Sequence, residues 1–212
     1  MKTSFMKTSL SDPIQIAVVR PTPHHGRIGI TFCPGKKDNY SKTGSGPWNR
    51  DLPVDVEAIK KWGAAVVVTL VTQHELELLQ VPELGTTVRA RGMEWFHLPV
   101  RDVSVPSAWF ESEWQNSGEF IRSLLRNRFD VVVHCRGGLG RAGSIAARLL
   151  VELGETPERA INAVRSVRPG AIETEEQEMW VLEAPDPCPN LCLHHRKRPS
   201  RIARLEHFWV WR

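Results

Sequence analysis

Apolar residues in this chain alternate between short unbroken runs and stretches in which they recur every three or four positions, the pattern of buried strands exchanged with amphipathic helices. Val131-Val132-Val133 and the run from Ala64 to Val71 have no polar alternation, so both read as parallel strands covered on two faces. Ile14 to Val19 and Arg27 to Phe32 read as short strands around a turn at Pro21 to Gly26, and Arg89 to Leu98 leads into another. Helices are predicted over Val54 to Trp62, stopped by Gly63, over Gln73 to Leu79, and from Ser107 to about Arg128. Ile145, Leu149 and Leu153 mark one face of a helix that opens at Arg141 or Ala142 and stops at Gly154. Thr156 and Pro157 open the next, with Ala160, Ile161, Val164 and Val167 on one face. Thr174 and Gln177 have the spacing of a capping box for a last helix from about Glu175 to Ala184. Strand and helix in alternation predict an α/β fold around a central, mostly parallel sheet.

The rest is punctuation. Residues 1–13 hold a near-repeated pentapeptide without core periodicity and are expected to be disordered, residues 14–184 form one domain, and residues 185–212 are a basic tail rich in proline and tryptophan. Asp38 to Pro53 reads as a polar surface loop whose Lys42 and Arg50 are solvated, with contact to a phosphorylated partner as the alternative. Glu111 and Glu113 read as a solvated helix face, and the adjacent His24 and His25 as turn residues rather than metal ligands.

Composition narrows the partners. A chain of 212 residues with 41% hydrophobic content can bury a full core. The net charge of +4 suggests nucleic acid, but residues 188–212 hold six Lys and Arg against one acid, leaving 22 basic and 23 acidic side chains elsewhere. A balanced body argues against a nucleic-acid surface. Four cysteines do not make a disulfide scaffold at this length, so a reducing cytoplasm is expected, and no stretch has the length or apolarity of a secretory or membrane-spanning segment. Cys188 and Cys192 with the adjacent His194 and His195 miss the usual zinc-finger spacing, and an unstructured basic tail is preferred.

Candidate chemistry lies where the valine run ends, at His134-Cys135-Arg136-Gly137-Gly138-Leu139-Gly140-Arg141. A strand, a glycine-rich loop and a helix start bring successive backbone N–H groups and a positive helix pole to one centre, as a phosphate-sized anion needs. Amides and helix pole both favour a thiolate at Cys135, hence a nucleophile. Arg141, six positions on, can turn its guanidinium fork onto two oxygens of the anion. The stiff loop Pro99 to Pro106 follows the preceding strand, so its Asp102 falls on the same rim of the sheet as Cys135.

Cysteine, five residues and arginine after a histidine resemble the signature loop of the cysteine-dependent protein tyrosine and dual-specificity phosphatases. Together with Gly29 to Lys37 and Gly170-Ala171-Ile172-Glu173-Thr174, the run is most similar to the cyclin-dependent-kinase-associated phosphatase (inhibitor 3) family, over roughly residues 25 to 184. The resemblance implies a three-layer α/β/α phosphatase fold and a phosphorylated protein as substrate, with no cofactor or metal. Cys135 would be the nucleophile, residues 136–141 the phosphate loop, Asp102 the general acid and His134 a supporting residue. Gln177 has two readings: helix cap, or, by the resemblance, a residue that places the attacking water. The family usually carries Ser or Thr after the arginine, where this chain has Ala142. Pocket depth decides between phosphotyrosine alone and phosphoserine or phosphothreonine as well, while a phosphoinositide would favour more basic residues than Arg136 adds. A monomer acting in the cytoplasm is expected. The competing reading is a phosphoprotein-binding module, or pseudophosphatase, and a rhodanese-like sulfur transferase offers no reason for a separate acid or for the spacing of Arg141.

Overall fold

The computed structural model describes residues 6–39 and 47–184. In chain order these form β1 (Ala17–Val19), β2 (Ile28–Phe32), β3 (Lys37–Asp38), β4 (Trp48–Asn49), α1 (Leu52–Trp62), β5 (Ala64–Thr69), α2 (Gln73–Leu78), α3 (Leu84–Arg89), β6 (Glu94–His97), α4 (Ala108–Arg126), β7 (Asp130–Cys135), α5 (Gly140–Glu152), α6 (Pro157–Val167) and α7 (Glu175–Leu182). The main sheet has the order β1-β2-β7-β5-β6 and is parallel except for the edge strand β1.

The valine runs explain the layers. Val131 and Val133 of β7, with Val66 and Val68 of β5, belong to one core, which also holds Phe110 and Ile121 of α4, Ile145 and Leu149 of α5, Ile161 of α6 and Val181 of α7. Val132 and Val67 point to the opposite core, against Val56 and Ile59 of α1, Leu76 of α2 and Val88 of α3. Helices therefore cover both faces, as the unbroken apolar strands require. Register sets Phe32 beside Cys135, Thr69 beside His134, and His97 beside Thr69, so four parallel strands end on one rim.

Three expectations are corrected. Within the stretch from Asp38 to Pro53, the described residues 38–39 and 47–53 are not a solvated loop: β3 pairs with β4, and Arg50 is buried. Its guanidinium grips Asp55 through Nε–Oδ2 at 2.7 Å and Nη2–Oδ1 at 2.8 Å, and Nη1 donates to the carbonyls of Asp12 (2.7 Å) and Thr8 (3.4 Å). Those carbonyls show the second difference, since residues 6–13 are not disordered: the Lys7 N–H donates to the Pro47 carbonyl at 2.9 Å, and Ser9 is buried against Asp51. A buried guanidinium needs acceptors, and the N-terminal segment supplies them. The third is α3, unpredicted because it is short, has no side-chain cap and contains Gly85, whose missing Cβ leaves room for the Trp95 ring. Strand β6 begins correspondingly late, at Glu94. Lys42 and the tail from residue 185 lie outside the described residues.

Replacing Asp55 by Asn strands the Arg50 charge in the core and is expected to cost about 3–5 kcal/mol. The urea midpoint of Asp55→Asn against the parent measures it.

Candidate active site

Cys135 is the last residue of the central strand and nearly inaccessible. The next three residues turn back over it, and the Gly138 N–H donates to Cys135 Sγ at 3.2 Å. Gly138 has φ +70°, and a Cβ there would lie 2.5 Å from the Thr31 carbonyl carbon, so glycine is required twice over. Gly140 is needed for a different reason: the Cβ space is taken by the side chains of Glu173 and Gln177. Its N–H, the first of α5, donates to Glu173 Oε2 at 2.8 Å, a distant carboxylate capping a helix whose N-cap Leu139 has no side-chain acceptor.

Arg141 is the hub of the site. Its Nη1 donates to Glu75 Oε2 (2.7 Å) and the Val100 carbonyl (2.9 Å), and its Nη2 to Glu75 Oε1 (2.8 Å) and Asp102 Oδ1 (2.9 Å). Four of the five guanidinium N–H groups are thus committed, and Nε–H is the one no described residue takes. Burial opposes the Glu75 carboxylate, yet hydrogen bonds from Arg141 and Thr72 hold its pKa below the usual carboxylate range. Burial also opposes the Arg141 charge, and the Glu75 pair overrides it, so the guanidinium pKa is raised. The same Glu75 closes a capping box with Thr72 at the start of α2, accepting the Thr72 N–H at 2.9 Å.

Asp102 sits in the loop after β6, which is tied to β5 through Leu98 N to Thr69 O and Val100 N to Leu70 O. Its side chain remains partly exposed, at 43%. The following Val103 has φ 57°, a left-handed conformation that costs a β-branched residue on the order of 1–3 kcal/mol. Gln177 is buried and fastens the far end of this loop, its Nε2 donating to the Ser104 carbonyl at 3.3 Å. Its Oε1 accepts the Glu173 N–H, so only half of the expected capping box forms, with Thr174 Oγ1 accepting the Gln177 N–H.

His134 lies one residue below the thiol and inside the sheet. Trp95 Nε1 donates to Thr69 Oγ1 at 2.8 Å, and Thr69 Oγ1 is in turn 2.8 Å from His134 Nε2. Burial lowers the His134 pKa to about 3, which keeps the ring neutral.

Arg136 is turned outward onto Asp38 Oδ2 at 3.0 Å and adds no free charge to the loop. Instead, two cations that sequence reasoning passed over support the loop's carbonyls: Lys36 Nζ donates to Arg136 O at 3.2 Å, and Arg168 donates to Gly137 O and Gly138 O, both at 3.0 Å. Glu75 and Glu173 were passed over too. The Thr72-x-x-Glu75 spacing was the available signal for Glu75. Arg168 has no local signal and Glu173 lies in the run Gly170 to Thr174 without a role assigned to it; both reach the loop from thirty or more residues away. Glu111 is tied to Arg148 and Trp180 rather than to the rim, and among the described residues no cluster of His, Cys, Asp or Glu could hold a metal.

A thiol that accepts a loop amide from Gly138, beside a buried guanidinium that still offers one N–H, suits the class of phosphatases that attack phosphorus with cysteine. The comparisons agree with that chemistry: the chain belongs to the dual-specificity and tyrosine phosphatase family. A family model described as "Polymorphic toxin system, DSP-PTPase phosphatase" (Tc-R-P) matches residues 47–155. The chain is 34% identical to cyclin-dependent kinase inhibitor 3 of Rattus norvegicus over 162 residues, 75% of this chain and 72% of the relative. It is 33% identical to protein tyrosine phosphatase type IVA 3 of Bos taurus over 136 residues, covering 61% and 70%. Among solved structures, kinase associated phosphatase with its catalytic-site cysteine substituted by serine superposes with a TM-score of 0.68 at 28% identity, covering 80% of this chain and 93% of that one. The active form of Tk-PTP gives 0.58 at 27%, covering 78% and 93%.

The depressed His134 pKa carries a stability prediction. Between its ordinary 6.5 and about 3 the unfolded chain binds the extra proton, so this contribution is complete above pH 6.5 and is lost as pH falls toward 3. Chemical denaturation of His134→Gln across that window is expected to show a shallower acid slope, by up to ~1.4 kcal/mol per pH unit.

Proposed function

We propose that this chain is a phosphoprotein phosphatase that hydrolyses phosphotyrosine, and phosphoserine or phosphothreonine as well, through a phosphocysteine intermediate. The observation that carries the reading is the hydrogen bond from Arg141 to Asp102. It brings the proposed acid to the guanidinium that would hold the phosphoryl group, and it occupies one N–H beside the open Nε–H. An incoming phosphate displaces Asp102 and takes Nε–H and Nη2–H as a fork, while Glu75 keeps the other edge of the guanidinium fixed. Arginine recognition and release of the acid are then one event.

Cys135 thiolate attacks phosphorus in line, and the P–O bond to the protein side chain breaks as Asp102 delivers its proton to the departing oxygen. Residues 136–141 and Arg141 hold the three equatorial oxygens where charge spreads. Water, positioned by Gln177 and deprotonated by Asp102, then attacks the phosphocysteine, and the S–P bond breaks to return the thiolate. Gln177 supports this reading by holding the Asp102 loop at Ser104 and the Glu173 backbone together. The domain carrying these steps spans residues 14–184 and acts as a monomer without cofactor. The free thiols at Cys33 and Cys135 accord with a cytoplasmic setting.

Cys135→Ser is expected to abolish release of phosphate from an aryl phosphate while retaining phosphate-ester binding; undiminished hydrolysis would remove Cys135 from the mechanism. The two leaving groups separate kinetically. Asp102→Asn lowers kcat by about 10²–10⁴ for a poor leaving group and far less for an activated aryl ester. Ala142→Ser restores a hydroxyl beside the thiolate leaving group, so a pre-steady-state burst in the parent should disappear in that variant. Absence of a burst together with unchanged turnover in Ala142→Ser would show that breakdown of the intermediate does not limit the rate.

A further inference from the structure

Glu173 is exposed, yet it reaches the signature loop: its Oε2 accepts the Gly140 N–H at 2.8 Å. Gly140 is the fifth residue after Cys135, so this amide belongs to the run of N–H groups that the proposed reaction assigns to phosphoryl oxygens. A carboxylate oxygen therefore holds a donor that the ligand needs. Gln177 fixes the surroundings. Its Oε1 accepts the Glu173 N–H at 3.0 Å, and its Nε2 donates to the Ser104 carbonyl at 3.3 Å. A Cβ built on Gly140 would lie 2.4 Å from Glu173 Oε2 and 2.7 Å from Gln177 Oε1, so both side chains press on the same side of the loop. The Glu173 backbone is thus pinned beside the residue proposed to place the attacking water, while its carboxylate ends a flexible side chain. Among the described residues that carboxylate is in no salt bridge, and the Gly140 N–H is its one hydrogen-bond partner.

We propose that Glu173 sets the affinity of the cradle: in the free protein its carboxylate occupies the Gly140 N–H in place of a phosphoryl oxygen, an entering phosphate displaces it, and its return helps expel the phosphate product. One N–H has one hydrogen to give, and a carboxylate is repelled by a phosphate monoester whose charge is close to −2. The two anions are therefore alternatives. Exchange leaves the positive pole of α5 answered throughout, because either anion caps it. Only the side chain has to swing, since the hydrogen bond from its backbone to Gln177 does not depend on where the carboxylate lies.

The proposal deepens the phosphatase reading above and rests on it for the identity of the displacing anion, and oxyanion binding separates the two. Binding of tungstate, an unreactive tetrahedral oxyanion, is measured by titration calorimetry with Cys135 intact. Glu173→Gln keeps an oxygen for the Gly140 N–H and removes the charge, so it is expected to bind tungstate on the order of tenfold tighter. The inhibition constant of inorganic phosphate and the KM for a small aryl phosphate should fall in the same proportion. Glu173→Ala also removes the cap, so it should melt at a lower temperature and still bind tungstate more tightly than the parent. A carboxylate that only caps the helix predicts the reverse, and unchanged or weaker tungstate binding in both variants would overturn the proposal. Tighter tungstate binding with an unchanged inhibition constant for phosphate would overturn the part in product release. A parent that fails to hydrolyse aryl phosphates while Glu173→Gln binds tungstate more tightly would sink the catalytic reading and leave the internal anion standing.

Discussion

A guanidinium cannot be buried unless its N–H groups are answered, and the rim of this protein is arranged around answering those of Arg141. Glu75 comes from the first turn of α2 after β5, Val100 and Asp102 from the loop after β6, and Arg141 itself from the first turn of α5 after β7. Three neighbouring parallel strands thus deliver their carboxyl ends to one planar cation. Glu75 is bound on both oxygens and is the more buried of the two carboxylates, so it sets the orientation of the plane. Asp102 is half open to solvent and holds by one oxygen, so it is the partner that can leave.

This division of labour sets a firmly held cradle against one loosely held acid. The cradle is fastened from below by Gly138 against β2, from the side by Lys36 and Arg168 on its carbonyls, and at its helix end by Glu173. The Asp102 loop is anchored at Val100 and Ser104, and between those anchors Val103 is held in a strained left-handed turn. Strain kept between two fixed points accords with the proposed mechanism, in which Asp102 leaves Arg141 for a leaving group.

The sequence made the strand that ends at Cys135, its loop and the following helix legible because their chemistry is contiguous: thiol, amides and arginine lie within seven residues. The same holds for the valine runs, whose lack of alternation forecast a sheet covered on both faces. What escaped is what arrives from a distance. Arg50 sits in a polar, proline-flanked stretch and reads as solvated until the N-terminal segment is seen to cover it. Arg136 reads as part of the loop's positive field until Asp38, nearly a hundred residues earlier, is found paired with it. Glu75 passes unnoticed because its partner Arg141 is 66 residues away. Long-range polar pairs leave no periodicity, and they supply most of the side-chain support of this site.

In the proposed mechanism the phosphoryl group passes through sulfur. Rapid acid quench of the protein with an activated aryl phosphate during the first turnover, followed by mapping of the labelled peptide, tests it most directly. One phosphoryl group on Cys135, forming and decaying fast enough to account for turnover, is the predicted result. Steady release of phosphate with no label on Cys135, or with label on another side chain, would show that the phosphoryl group does not pass through this thiol.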